Sequence, residues 1–169
     1  PRTQLPPRVT AAVDYVADHP RSLPGRVAAW RFGTVRRDAV PPPTSLPPTP
    51  TRVYIGPVNY SEQGYARAPA LERSRPDGGA RNRSVEVPRG FAFRSDTEVP
   101  EAVYHRSRAW QEAELAAVRR FTHALVEAER PLFGRLFWRD VEAEGAELAA
   151  AGVSTAYLAH GTDVRLPSR

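Results

Sequence analysis

The 169-residue chain contains no cysteine, no methionine and no lysine. Without cysteine there is neither a disulfide framework nor a thiolate metal site, and four scattered histidines make a structural zinc site a poor fit. Cysteine usage leaves the redox compartment open, and the cytoplasm is the default expectation. Without methionine, and with Pro1 as its first residue, the chain is expected to be a processed chain or a fragment. No apolar run approaches the roughly 20 residues that span a bilayer, and no basic-then-apolar signal segment opens the sequence. A soluble protein is expected.

All 24 basic residues are arginine, set against 19 acids for a formal net charge of +5. Beside abundant alanine and proline, this usage resembles the mutational bias of a GC-rich genome, which weakens arginine as a functional signal. The residual charge suits phosphate-bearing ligands or a membrane surface. Nucleic-acid binding is not expected, because the arginines are spread among acids with no aromatic-basic alternation.

The 41% hydrophobic and 25% charged residues that are present suffice for one domain with a real core. Residues 1–50 hold most of the 18 prolines and end in VPPPTSLPPTPT, which reads as a linker preceded by short helices over VTAAVDYVADH and PGRVAAWRF. From residue 51 strand-like and helix-like segments alternate, so the expected fold is α/β, with a mostly parallel Rossmann-like sheet flanked by helices. RVYIGPV, NRSVEV, HALVEA and STAYLAH are the expected strands, and GFAFRSDTEV is either a strand or an extended loop. YARAPALERS is an expected helix, with Pro69 tolerated only near its start, and RPDGGA an expected turn. The clearest helix is RSRAWQEAELAAVRRF, where Trp110, Ala113, Ala117, Val118 and Phe121 recur at helical spacing and form a core-facing stripe. PLFGRLFWRDVEAEGAELAAAG reads as a further helix, bent or broken near Gly134 or Gly145 and stopped at Gly152.

Ligands of open parallel sheets bind outside the carboxyl ends of the strands. That rule singles out three loops: NYSEQG, EAERP and HGTDVR. In the last, a neutral His160 ring can accept a proton or bond a hydroxyl near pH 7, or it simply caps a strand. Asp163 and Arg165 either pair with each other or serve polar substrate groups. Glu127 either accepts hydroxyl hydrogen bonds or complements the positive end of the next helix. His105 and Arg106 precede the clearest helix, where an anion site or a solvated helix start are both open. NYSEQGY could cradle a phosphate, but its lone Gly64 lacks GxGxxG spacing and Glu62 would repel an anion, which disfavours a dinucleotide-binding oxidoreductase.

The succession RVYIGPVNYSEQGYARAPALE, VYHRSRAW, THALVEAERPLFGRLF and YLAHGTDVRLPSR resembles the amino-terminal half of bacterial, actinobacterial-type GT-B glycosyltransferases that are family-4-like. The resemblance covers residues 51–169, and its most specific parts are the IGPVNYxxQGY loop and HGTDVR. It implies a nucleotide-sugar-dependent transferase whose acceptor-side domain is this chain, with the donor held mainly by a second domain not in the sequence. It also implies no cofactor or metal, a sugar or glycolipid acceptor and peripheral membrane association. Carried over residue by residue, Asn59, Gln63 and Gly64 border the cleft, and His160, Gly161 and Asp163 face acceptor or donor sugar. The chain departs from the family at Pro69, where an uninterrupted helix belongs, and at Glu62, where a small residue suits close approach. As an incomplete six-stranded half, the chain alone is expected to be inactive and poorly soluble or dimeric. The rival expectation is a non-catalytic Rossmann-like module that binds an anionic ligand or a protein partner.

Overall fold

The computed structural model describes residues 22–32, 39–86 and 93–159, together with positions 9, 12 and 35. Helix α1 (Leu23–Phe32) precedes the sheet. Strand β1 (Thr51–Gly56) leads through a one-turn 3-10 helix (Tyr60–Glu62) into α2 (Gln63–Ser74). Then come β2 (Gly78–Val85), the short β3 (Thr97–Val99), α3 (Glu101–Arg106) and α4 (Arg108–Val118). Strand β4 (His123–Glu127), α5 (Val141–Ala150) and β5 (Ser154–Leu158) complete the described chain.

The five strands form one sheet in the order β3-β2-β1-β4-β5, and every pairing is parallel. The expected α/β class with a Rossmann-like parallel sheet and flanking helices is therefore what the chain adopts. Parallel neighbours need crossover connections, which is why helical segments fall between the strands. β1 lies at the centre with Val53 opposite Ala80 on one side and His123 on the other. Its β-branched and aromatic run Val53-Tyr54-Ile55 suits a strand packed on both faces.

Alternation along the strands sorts the core into two layers. On one face Tyr54, Ala124 and Val126 pack with Leu115 and Val118 of α4, Leu148 of α5, and Phe121, Leu132 and Phe133. On the other face Ile55 and Ala80 meet Ala68 of α2, with Val53, Leu71 and Leu125 around them. Trp110, Val118 and Phe121 from the expected apolar stripe are all buried.

Several expected boundaries shift, each for a local reason. The helix expected from Arg106 divides at Ser107, whose Oγ accepts from the Trp110 amide at 3.3 Å and starts α4 afresh. Pro69 lies well inside α2 rather than near its start. The expected helix over residues 131–152 breaks at Gly134, where φ is +61°, and is helical only from Val141. The amides of Leu132 and Phe133 donate to the Glu144 carboxylate at 2.7 and 3.1 Å, so they do not enter a helical ladder. Asp140 then caps α5 by accepting from the Glu142 and Ala143 amides, both at 3.0 Å.

Residues 41–50 lie against the sheet. Thr44 is buried, with its amide 2.9 Å from Glu114 Oε2 and its hydroxyl donating to Glu114 Oε1 at 2.6 Å. Pro47 crosses β2 so closely that a Cβ on Gly79 would come within 2.6 Å of the proline ring. The glycines of RPDGGA thus start a strand instead of ending a turn. This strap is fixed by a buried ion pair, with Arg83 Nε 3.0 Å from Glu114 Oε1 and Arg83 Nη2 donating to the Pro42 carbonyl at 2.9 Å.

Candidate functional site

β1 is followed by a crossover to β2 on one side, while β4 pairs on its other side, so the strand order reverses between β1 and β4. The chain leaves these two neighbouring carboxyl ends in opposite directions, which opens the crevice where parallel sheets bind ligands. Two of the three loops singled out from sequence flank it. Both hold consecutive non-glycine residues in left-handed conformation: Ser61 and Glu62 at φ 54° and 59°, Ala128 and Glu129 at 55° and 48°. Such backbone is costly, by about 1 to 3 kcal/mol each, and clusters where a loop is shaped for function.

Glu127, the last residue of β4, is completely buried. Its Oε1 accepts from Arg67 Nη1 of α2, and Arg67 Nη2 donates to Gln63 Oε1 at 3.1 Å. Arg67 therefore bridges two residues proposed independently from sequence, one on each side of the crevice. Arg67 escaped sequence reasoning, and its signal was the i,i+4 spacing from Gln63 on a helix that starts at the crevice.

Asn59 is buried behind this trio. Its Oδ1 accepts from the Tyr65 amide at 3.2 Å, filling one of the open donors of the α2 amino terminus, and its Nδ2 donates to the Arg94 carbonyl. Glu62 Oε1 accepts from the Arg94 amide at 3.2 Å. Glu62, one of the two departures from the resemblance, therefore has a structural employment: with Asn59 it holds the chain at Arg94 that leads to β3. Gly64 serves close packing, since a Cβ there would lie 2.7 Å from Asn82 Nδ2 and 3.2 Å from Asn59 Oδ1. Asn82 itself is fully buried, donates to the Ile55 carbonyl at 3.3 Å and is held at its amide by Asp96 Oδ2 at 2.8 Å. Its polar identity in the middle of a strand was the available signal.

Of the remaining sequence candidates, His105 and Arg106 end α3, and His105 Nδ1 is 3.3 Å from Arg139 Nη2. The start of α4 beside them is occupied by the Ser107 cap. His160, Gly161, Asp163 and Arg165 lie outside the described residues. Among the described residues no group of three or more histidines and carboxylates could hold a metal ion, and no helix is long and apolar enough to cross a membrane.

A shallow depression of about 320 Å³ lies elsewhere, against Thr51, His123 and Ser154 at the amino ends of their strands. It is apolar sheet surface, lined by Val53, Leu71, Leu125 and Ala156, and lacks the convergent polar groups of a recognition site. The polar crevice at the opposite end is the better candidate. No family model, no curated protein and no solved structure matches the chain.

Proposed function

We propose that the crevice between β1 and β4 binds a sugar, and that the chain is the acceptor-side domain of a nucleotide-sugar-dependent glycosyltransferase. The observation that carries this reading is the Gln63–Arg67–Glu127 trio at the strand-order reversal. It presents the exposed Gln63 amide beside the partly exposed Arg67 guanidinium, which the buried Glu127 carboxylate holds in place, a combination complementary to neighbouring hydroxyls of a pyranose. Asn59 and Gly64 support it by fixing the loop and bringing α2 close to β2. Catalysis in this reading comes from orientation within a closed cleft, and the donor belongs to a second domain.

Sugar binding without transfer is the second reading, favoured by the Arg67 contact to Glu127. A carboxylate already answered by a guanidinium is arranged to position a ligand more than to exchange protons. A thermal-shift series with monosaccharides and nucleotide-sugars tests both, because a ligand selective for the native state raises Tm by mass action. The expected result is a sugar-dependent rise that Gln63→Ala, an exposed substitution, reduces. Transfer or hydrolysis of a nucleotide-sugar by the longer protein separates the enzyme from the binding module. No shift with any sugar, or a shift indifferent to Gln63→Ala, refutes the site.

A further inference from the structure

Helix α1 carries an apolar stripe that nothing among the described residues covers. Leu23, Val27 and Trp30 are 76%, 64% and 86% exposed. At 3.6 residues per turn these three positions fall within an arc of about 60°, and position 25 falls on the far side of the helix. Gly25 is buried, so α1 turns its glycine side to the protein and Leu23, Val27 and Trp30 to solvent. Exposed tryptophan at this level is unusual for a surface with no partner, because each such side chain forgoes about 1.5 to 3 kcal/mol of burial.

The charge of the surrounding sequence points to the partner. Between Asp18 and Asp38 the sequence holds Arg21, Arg26, Arg31, Arg36 and Arg37 and not one carboxylate. Elsewhere arginines are interleaved with acids, as in RSRAWQEAE and EAERPLFGRLFWRDVEAE. General arginine bias accounts for the arginines but not for the local absence of acids. Arg26, exposed on α1, borders the stripe on the helical wheel. An apolar stripe with tryptophan, bordered by Arg26 on a short helix within an acid-free, arginine-rich stretch of sequence, is the composition that lies in the plane of an anionic membrane.

The attachment to the fold suits an anchor. α1 packs against α3, and the chain between α1 and β1 is pinned through Pro42 and Thr44 to the buried Arg83–Glu114 pair. We infer that α1 is an interfacial anchor that docks the domain on an anionic lipid surface through Leu23, Val27 and Trp30. This docking is independent of what the crevice binds.

Co-sedimentation of the full chain with vesicles tests it. Phosphatidylcholine vesicles containing about 30% phosphatidylglycerol should retain the protein, pure phosphatidylcholine should not, and about 0.5 M salt should release much of it. Replacing Leu23, Val27 and Trp30 together by serine should abolish retention, and Arg26→Gln should lower the partition coefficient about fivefold. Quenching of tryptophan emission by brominated acyl chains provides a second readout with little structural perturbation. It should disappear in Trp30→Phe while Trp110 and Trp138 remain. Equal retention by neutral vesicles, no retention by either, or quenching that survives Trp30→Phe overturns the inference. So does a serine variant that dissolves a dimer seen by light scattering while the parent ignores vesicles, since the stripe would then be covered by a second copy of the chain.

Discussion

Replacing Glu114 by alanine should be among the most damaging single changes available to this fold. Its carboxylate is fully buried and receives the Thr44 amide and hydroxyl, the Tyr54 hydroxyl at 3.0 Å and the Arg83 guanidinium. Arg83 is itself 2% exposed, and the Trp110 ring centroid 5.7 Å from its guanidinium carbon is a weak substitute for an anion. Removal of Glu114 therefore leaves a buried cation and a buried phenol without their main acceptor. Breaking a buried pair from one side costs about 3 to 5 kcal/mol, which in a domain of this size lowers Tm by about 6 to 20 °C. Urea unfolding followed by near-UV circular dichroism measures the cost directly, with an unchanged m value as the sign that only stability moved. The Thr44 amide should also lose its hydrogen-exchange protection before the central strands do. In the double variant Arg83→Met, Glu114→Leu neither charge is present, and part of the loss should be recovered, because apolar pairs replace buried ion pairs at little cost while the Thr44 amide and the Tyr54 hydroxyl stay without their acceptor. A Glu114→Ala cost below about 1 kcal/mol, or a double variant no better than the single one, refutes the assignment of the pair as the pin of the strap.

Gly64→Ala opposes two effects: alanine gains about 1 kcal/mol of helix propensity, while its methyl meets Asn82 Nδ2 at 2.7 Å. Asn82 is buried and bonded to the Ile55 carbonyl, so it cannot swing away, and overpacking of about 1 to 3 kcal/mol should prevail; a stabilised variant in thermal melts contradicts this. Burial pushes the Glu144 carboxyl up to about 7, despite the opposing pull of the Leu132 and Phe133 amides. A group that holds its proton more tightly when folded contributes fully below its unfolded pKa, and that contribution is lost as pH rises through the folded value. Stability should therefore fall between about pH 4.5 and 7, by up to about 3 kcal/mol from this residue. Urea midpoints of the wild type and Glu144→Gln at pH 5 and 8 isolate it, and an equal pH dependence in the two proteins rejects it.

The parallel sheet was legible because β1, β4 and β5 are made of residues with strand propensity, and because the intervening segments have helix length. β2 was harder to read. Its sequence Gly78-Gly79-Ala80-Arg81-Asn82-Arg83 has almost no strand propensity, and it is a strand because the strap needs glycine beneath Pro47 and because Arg83 has Glu114 to meet. The segment from Leu132 to Arg139 misled for the opposite reason. Its apolar residues have helical spacing, but the Glu144 carboxylate captures the amides that a helix would use. At the crevice, Glu127 was visible from its position at a strand end, and Gln63 from the loop after β1 and the family resemblance. Arg67, which joins them, was not, because an arginine in an arginine-rich chain carries little information before its partner is known.

The polar core and the crevice are one mechanical unit. Arg83 follows Asn82, the residue against which Gly64 packs, and Tyr54 precedes Gly56, where β1 gives way to the crevice loop. A Cβ at Gly56 would come 2.9 Å from the Arg83 carbonyl and 3.5 Å from the Tyr54 hydroxyl, so the ends of β1 and β2 are locked together just beneath the loop that carries Asn59 and Gln63. Burial and the neighbouring Glu114 carboxylate keep the Tyr54 phenol protonated well beyond its ordinary range, so it remains a donor to Glu114 at every physiological pH. An all-apolar core could supply equal stability at this position. What it would not supply is direction, since the hydrogen bonds of the Arg83–Glu114–Tyr54–Thr44 group fix β1, β2 and the strap against one another and against α4. The cost of burying charge is incurred at the base of the crevice, where the geometry of the loops above depends on it.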